Sequence, residues 1–363
     1  MSERLLHLTN RANTRTVTGT CLLVVLLMMM TAQAFPQAVT AVELSGGAGG
    51  YHTPGNILIS DQFNNRILEV NPTTHKIVWA FGNGSSTAGP KSVVAPNDAQ
   101  VVGPLTLVSG TGAPPGGEPS CPSGCADNRV MLIDVFGDIL WKYGQPGVTG
   151  SGPNQLNTPV QATFLPNFDV LITDHGNQRV IEVTPYHQIV WQYGQTGVSG
   201  SGYNQLNNPN SAELLDDGNI LIADESNNRV IEVTRAHTIA WQYSNGISGA
   251  AFASRLQNGN TLISDSLNNR VVEVSRDGAV VWQYVTNTRP GSVANPNPTR
   301  AVRLANGNTL ISDQFNMQVI EVDPKGTIVF SQGAIGVSGT CFNQLNAPYD
   351  AKVVNDFTGL TPP

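Results

Sequence analysis

The sequence predicts an all-β fold, a six-bladed β-propeller of four-stranded blades, and three observations support that prediction. A unit recurs along the chain at spacings of about 40 to 60 residues, as residues 144–193 and 194–243 show, and such periods indicate repeat architectures. Each copy breaks into four short strand-like pieces separated by turn residues. Six copies are present, and four-stranded units repeated radially close into a ring that protects their strand edges. The 37 Gly and 23 Pro among 363 residues therefore mark turns between strands.

Each piece of the unit has its own signature. The first piece contains a small residue, at Ala99, Ala162, Ala212, Ala253, Ala301 and Ala351. The second piece is an apolar run, at residues 57–59, 105–107, 170–172, 220–222, 261–263 and 309–311. The third piece begins with Arg66, Arg129, Arg179, Arg229 and Arg270, with Gln318 in the last copy. The fourth piece contains Trp79, Trp141, Trp191, Trp241, Trp282 and Phe330.

The two ends of the repeat predict how the ring closes. The first copy has no Ala-bearing piece before Ile57, whereas a spare one follows the sixth copy at residues 346–354. We therefore expect the C-terminal strand to complete blade 1. The predicted blades are residues 51–82 with 346–357, then 96–144, 159–194, 209–243, 250–284 and 298–332, within a propeller domain at 51–357. A seven-unit arrangement that uses residues 41–44 is the less economical alternative.

The amino-acid pattern of the repeat resembles that of a known family. The pattern G-x-x-G-x-G-x-x-Q-[LF]-N-x-P, followed by G-N-x-L-I-x-D-x-x-N-N-R-V-x-E-V, is clearest at 197–233 and weaker across 51–355. It resembles the NHL repeat, which implies a β-propeller. Propellers of this type include receptor and scaffold modules and a few lyases, so the resemblance leaves the function open. Residues 323–330 resemble quinoprotein repeats more loosely.

The N-terminus and the cysteines indicate an exported protein. Residues 1–34 match a signal peptide. Basic residues precede the apolar run 21–30, and the small residues Ala32 and Ala34 follow it. Residues 35–50 form a lead-in, and an uncleaved anchor is the alternative. The predicted location is secreted, periplasmic or extracellular, with no membrane span after cleavage. Cys121 and Cys125 are predicted to form a disulfide, while Cys341 is either free or paired with one of them.

The repeated polar residues have a structural interpretation. Asp61, Asp174, Asp224, Asp265 and Asp313 end the second piece of their units, and an Arg follows five residues later in the first four. We expect these Asp–Arg pairs to staple hairpins, since catalytic residues would not be copied into every blade. His75, His187 and His237 lie at equivalent turns that point apart around a ring, so they cannot share one metal ion.

The residues just before each repeated Ala vary from blade to blade and should line the mouth of the central channel. The predicted ligand-binding residues are Asn97, Asp98, Gln161, Asn210, Phe252, Arg300, Tyr349 and Asp350, with His175 beside them. Asp98 and Asp350 could hold calcium, while Arg300 could pair with either carboxylate or bind an anionic group of a substrate. Phe63 and Phe315 are predicted to form a contact patch on the same face, where the short connection 244–250 leaves a groove.

These observations favour a binding or scaffold module for a protein, peptide or glycan. A net charge of −7 without any basic run argues against nucleic acid as a partner. The alternative is a lyase or hydrolase with a metal at the channel mouth, and a quinone-dependent oxidoreductase is the third candidate. No cofactor is indicated with certainty, and calcium is the one ion that the carboxylates suggest.

Overall fold

The computed structural model describes residues 50–356 and shows six four-stranded antiparallel sheets, which confirms the predicted fold class. The described residues contain short 3-10 turns but no α-helix, and none of their helices is long and apolar enough to cross a membrane. The predicted signal peptide, most of the lead-in and the alternative piece at 41–44 lie outside the described residues. Six blades account for every strand in the part that is described.

The strands occupy four positions from the channel outward. The innermost strands of blades 1 to 6 are β24 (Pro348–Val353), β4 (Pro96–Val102), β8 (Pro159–Phe164), β12 (Pro209–Leu214), β16 (Ala250–Arg255) and β20 (Pro298–Arg303). The second strands are β1 (Ile57–Asp61), β5 (Leu105–Ala113), β9 (Val170–Asp174), β13 (Ile220–Asp224), β17 (Thr261–Asp265) and β21 (Thr309–Asp313). The third strands are β2 (Arg66–Val70), β6 (Cys125–Ile133), β10 (Arg179–Val183), β14 (Arg229–Val233), β18 (Arg270–Val274) and β22 (Gln318–Val322). The outermost strands are β3 (Ile77–Phe81), β7 (Ile139–Tyr143), β11 (Ile189–Tyr193), β15 (Ile239–Tyr243), β19 (Val280–Val285) and β23 (Ile328–Gln332).

The C-terminal strand closes the ring as predicted. β24 pairs antiparallel with β1, so that Ile59 lies opposite Ala351. The innermost strand of blade 1 is therefore supplied from the other end of the chain. Beyond this pair, the Val354 N–H donates to Asn56 O at 2.8 Å. Without β24, the inner edge of β1 would be an unpaired strand edge.

The hydrophobic core lies between neighbouring blades. Second and third strands are buried on both faces because each face meets an adjacent blade, and Leu221 and Val230 of blade 4 pack with Ala253 and Ile263 of blade 5. Each fully buried aliphatic side chain of this kind contributes roughly 1.5–3 kcal/mol. The outermost strands are half exposed, with Val190 exposed by 54%.

The predicted Asp–Arg staples are present in the four blades that contain both residues. In blade 3, Arg179 Nε lies 2.8 Å from Asp174 Oδ2, and in blade 4 Arg229 Nε lies 2.7 Å from Asp224 Oδ2. Every one of these carboxylates is fully buried. A buried carboxylate needs a cation and hydrogen-bond donors, so the staple fixes where the second strand turns into the third.

Blades 2 and 6 form the same pair with residues from other positions. In blade 2, Asp127 of β6 pairs with Arg129 at 2.5 Å and fills the space beside Gly110, where a Cβ would lie 2.5 Å from Asp127 Cγ. In blade 6, Gln318 replaces the arginine, and Arg289 of the incoming connection pairs with Asp313 instead. A buried Asp–Arg pair therefore occurs in every blade.

The same carboxylate also fixes the connection that enters its blade. In five blades it accepts a hydrogen bond from the backbone N–H of the residue two positions before the innermost strand, at Val94, Asn157, Asn207, Ser248 and Asn346. Blade 6 has Pro296 at this position, and its carbonyl oxygen accepts from Phe315 N just as Asn157 O accepts from Gly176 N. Proline has no N–H, so Asp313 Oδ1 is buried without a hydrogen-bond partner.

Indole groups join each blade to the next. The Trp Nε1 group of one blade donates to a backbone carbonyl in the outer turn of the following blade, at Val135, Pro185, Arg235, Arg276 and Pro324. The aromatic side chains of the outermost strands therefore cover the neighbouring blade. Between blades 6 and 1, Phe330 cannot donate and stacks instead on His75, with ring centroids 5.6 Å apart.

The burial of Asp313 predicts a pH dependence of stability, to which the missing N–H at Pro296 adds because a donor there would favour the charged carboxylate. Burial raises the pKa of Asp313 to about 6 from its ordinary 3.8, while Asn316 and Arg289 lower it. Because the folded pKa is the higher one, this group stabilises the fold below pH 4 and that contribution is lost as the pH rises through 6. Pro296→Ala restores the donor. The measurement, by urea titration, is the free energy of unfolding of the variant minus that of the wild type. We expect this difference to be about 1 kcal/mol more favourable to the variant at pH 7.5 than at pH 4.5.

Pro298→Ala is the control, since it also removes a proline and increases the entropy of the unfolded chain. That entropic cost is the same at both pH values and cancels in the comparison. An equal pH response of the two variants would contradict the role assigned to Pro296.

Candidate functional site

The structure brings the predicted ring residues together around the central channel, where they are buried. Asp98 is 2% exposed, and Arg300 and Asp350 are 1% exposed. Asn97, Gln161, Asn210, Phe252 and Tyr349 are also buried. Their polar atoms mainly contact other blades.

Four ring positions tie neighbouring blades together. Each provides an acceptor for the N–H of the repeated Ala in the next blade: Asp350 for Ala99 (3.2 Å), Asp98 for Ala162 (3.1 Å), Gln161 for Ala212 (2.7 Å) and Ser211 for Ala253 (3.1 Å). Asp, Gln and Ser can all perform this task, so variation along the ring is compatible with one shared structural role. Phe252 and Arg300, in blades 5 and 6, have no side-chain acceptor.

A lysine lies between the two carboxylates that were suggested as calcium ligands. Lys352 Nζ donates to Asp98 Oδ1 at 2.7 Å, to Asp350 Oδ2 at 2.5 Å and to Ala99 O at 2.8 Å. Burial acts to lower the pKa of Lys352, but Asp350 and Asp98 raise it overall. No group of three or more His, Cys, Asp or Glu side chains in residues 50–356 could hold a metal ion. This donor set does not fit calcium.

Two side chains cross the axis and close the channel. From blade 6, Arg300 donates to Ala251 O at 3.2 Å and to Val160 O of the opposite blade at 3.3 Å. From blade 1, Tyr349 Oη lies within 2.8 Å of the Asn210 amide in blade 4. Burial raises the pKa of Tyr349 to about 12. The ring residues therefore form a closed polar layer.

A second layer, formed by residues that directly follow the hairpin carboxylates, lies above the first. Gln314 donates to Gln62 at 2.8 Å, and Gln62 donates to Asn97 at 2.8 Å. His175 and Glu225 occupy the equivalent positions in blades 3 and 4, and both are half-buried. Sequence reasoning missed Glu225, although the register that singled out His175 also points to it.

His175 and Glu225 contact consecutive residues of blade 4. His175 Nδ1 lies 3.1 Å from Pro209 O, and the Asn210 amide donates to Glu225 Oε2 at 2.7 Å. Burial lowers the pKa of His175 and raises the pKa of Glu225. Perturbed titratable groups at a channel mouth are candidates for ligand contact.

The two residues of the predicted contact patch lie on the mouth side of blades 1 and 6, and the patch itself stays a prediction. Phe63 and Phe315 are half-buried, and Phe63 packs against a cluster that contains Val94, Ala95 and Ala113. The cysteine-containing insertion of blade 2 covers Phe63 as well, since a Cβ on Gly117 would lie 3.2 Å from its ring. That insertion holds the predicted Cys121–Cys125 disulfide, and Cys341 is free and exposed.

The most exposed aromatic rings on this side of the propeller lie in the connections between blades. Connections 144–158, 194–208 and 333–347 share one fold, in which the first Gly N–H donates to an Asn side chain at 2.8–2.9 Å. Tyr203 is 74% exposed and Phe342 is 71% exposed at the tips of two of these loops. We call this side, formed by the connections and the second-to-third-strand loops, the mouth face.

Charged residues are scarce on the mouth face. Its loops contain Lys91, Glu118, Glu225 and Arg289. Lys91 pairs with Asp138, Arg289 pairs with Asp313, and Glu118 is buried and accepts from Asn65. Within residues 50–356, Glu225 is the mouth-face carboxylate that is half-buried, instead of fully buried like Glu118, and has no ion pair.

The comparisons support the fold alone. The chain matches no protein-family model and no curated protein. It is similar to a Bacteroides caccae protein of unknown function, with a TM-score of 0.56, 16% identity, and coverage of 77% of this chain and 93% of the other. Virginiamycin B lyase from Staphylococcus aureus matches with a TM-score of 0.48, 15% identity and coverage of 80% and 86%. The WD40 propeller domain of Doa1 matches with a TM-score of 0.47, 10% identity and coverage of 76% and 86%.

The position of Lys352 predicts that this lysine already supplies the cation of the channel. Lys352→Met removes the ammonium group that bonds both Asp98 and Asp350 and leaves Arg300, 3.8 Å from Asp350, as the remaining cation beside them. We therefore expect it to lower the free energy of unfolding by about 3–5 kcal/mol. The exposed Lys142→Met control should change it by less than about 0.5 kcal/mol. Millimolar calcium should leave the wild-type melting temperature unchanged. This assignment would be contradicted if calcium raised the melting temperature of the wild type and Lys352→Met left the free energy of unfolding unchanged.

Proposed function

We propose that this protein is an exported NHL-type propeller that acts as a binding or scaffold module and recognises a protein, peptide or glycan through its mouth face. One observation carries the proposal. The mouth face presents internally hydrogen-bonded, charge-poor loops whose most exposed large side chains, Tyr203 and Phe342, contribute little buried area to the fold. Exposed aromatic side chains in neutral polar surroundings are typical of recognition surfaces.

The loops have the composition of a preorganised binding surface. They are rich in Gly, Ser, Thr, Asn and Gln, which supply hydrogen-bonding groups around aromatic anchors. Internal bonds fix them, as Gly200 N donates to Leu206 O at 3.0 Å and Gly202 N to Gln205 Oε1 at 3.2 Å. A loop that is already ordered loses less entropy on binding.

Comparison of the three related connections with one another separates a constant loop framework from a variable residue at the loop tip. The three related connections keep the same Asn-Gln-Leu-Asn segment, whereas the residue before it is Pro153, Tyr203 or Phe342. The buried leucine holds the loop, but the tip position has no such constraint. Different tips on one framework can present different contacts to a single partner.

The described ends of the chain leave the mouth face clear. Tyr51 Oη bonds Thr106 at 2.9 Å, and the His52 N–H donates to Glu69 at 2.8 Å, at the opposite ends of the strands. Val354 lies beside Asn56 at the same end. A partner can therefore approach the mouth face without meeting residues 50–52 or 354–356.

Sequence features support the remaining parts of the proposal. The repeat pattern supports the NHL type, and the signal-like N-terminus together with a Cys121–Cys125 disulfide supports export. We do not propose the metal-dependent lyase or hydrolase, because Asp98 and Asp350 already bond Lys352.

The proposal is tested on arrays of peptides and glycans with matched surface variants. Tyr203→Ala and Phe342→Ala should each weaken binding of any selected ligand by about tenfold or more, as expected for an aromatic anchor. Tyr186→Ala is the control, since this residue is 67% exposed in a turn at the opposite ends of the strands. Ligands that depend on Tyr186, or no ligand in either array, would contradict the mouth face as the binding surface.

A further inference from the structure

The polar cluster at the axis contains more negative than positive charge. We define the axial cluster as Asp98, Glu225, Arg300, Asp350 and Lys352, which combines three carboxylates with two cations. Lys352 bonds Asp98 and Asp350, and Arg300 Nε lies 3.8 Å from Asp350 Oδ1. Asp350 Oδ1 has no hydrogen-bond donor, although its side chain is 1% exposed. One carboxylate charge is therefore left without a full counter-charge.

Glu225 is the member of the cluster that faces outward. Its side chain is half-buried, whereas the other four are buried. One of its oxygens accepts from Asn210, and the Arg300 charge acts on it without a direct ion pair. An external cation bound here would balance the cluster at its solvent-facing end, where little protein structure has to move.

His175, which contacts the residue before Asn210, offers a further hydrogen-bond acceptor. His175 Nδ1 faces the carbonyl oxygen of Pro209, so this nitrogen carries the proton and Nε2 of the neutral ring is an acceptor. Beside a carboxylate, such an acceptor favours a donor-rich cation such as an ammonium or guanidinium group. A divalent metal fits less well, since no suitable group of three ligands exists in the described part of the chain.

The connection between blades 4 and 5 contacts the loop that carries Glu225, since Gly249 N donates to Asn228 Oδ1 at 2.8 Å. The connection between blades 4 and 5 spans residues 244–249, whereas three of its counterparts span 144–158, 194–208 and 333–347. The short connection leaves Leu267 59% exposed at the edge of blade 5. Fewer residues therefore join blades 4 and 5 on the mouth face, and an apolar side chain is exposed there. The groove at residues 244–250 stays a prediction.

We propose that Glu225, together with His175, anchors a lysine or arginine side chain, or an N-terminal ammonium group, of a peptide that enters over Leu267. This inference rests on the proposed function and names the partner of the same face. Peptide is favoured over glycan because the anchor requires a cation, and the net charge of −7 also attracts a basic partner.

The test uses an array of peptides with systematically varied positions, followed by titration of the best binder. We expect lysine or arginine to be selected at one position, and Glu225→Gln to weaken binding about tenfold or more. The glutamine can still accept from Asn210, so the variant should keep the wild-type melting temperature. The control is Asp216→Asn, which removes one charge from an exposed turn at the other end of the same blade.

Each outcome decides a different claim. Selection without a basic residue, or equal binding by wild type and Glu225→Gln, would overturn the cationic anchor. Peptides without a basic residue, or neutral glycans, could still bind the wild type and lose affinity in Tyr203→Ala. The mouth face would then remain the binding surface, and only the cationic anchor would be overturned. A basic-peptide preference that disappears equally in Asp216→Asn would show general charge attraction and would also overturn the anchor.

Discussion

Closure of the ring by β24 is the constraint on which the rest of the structure depends. A propeller blade is stable when its faces are covered by two neighbours, and the first and last blades obtain that cover once the ends are joined. Here the C-terminal strand supplies the inner edge of blade 1. The same strand carries Tyr349, Asp350 and Lys352, so the step that closes the ring also assembles the polar layer that blocks the channel.

The buried hairpin carboxylate shows how strongly each blade is constrained. Where the repeat lacks one partner, another part of the chain supplies it, as Asp127 does in blade 2 and Arg289 in blade 6. Each blade therefore requires a buried Asp–Arg pair beside the hairpin between its second and third strands, but the two residues can come from different sequence positions. Pro296 shows the limit of this compensation, because a missing backbone N–H has not been replaced.

The sequence predicts those features that arise from local, repeated patterns. Strand number, the staples and the cysteine pair follow from spacing, and the spare first strand predicts closure. The roles of the channel residues could not be predicted in the same way, since blade-to-blade variation suggests a binding site while Asp98, Gln161 and Ser211 all serve as acceptors for a neighbouring backbone. The role of Lys352 depends on two carboxylates that are close in space and come from different blades.

The most direct test of this account is the unfolding of a chain that ends at residue 345 and so lacks β24. The account predicts that this chain loses the cooperative thermal transition of the full-length protein, because blade 1 has an open edge and the polar layer is incomplete. A synthetic peptide of residues 346–356, added in excess, should restore the transition. A cooperative transition within a few degrees of the full-length protein, without the peptide, would contradict the claim that closure by β24 holds the propeller together.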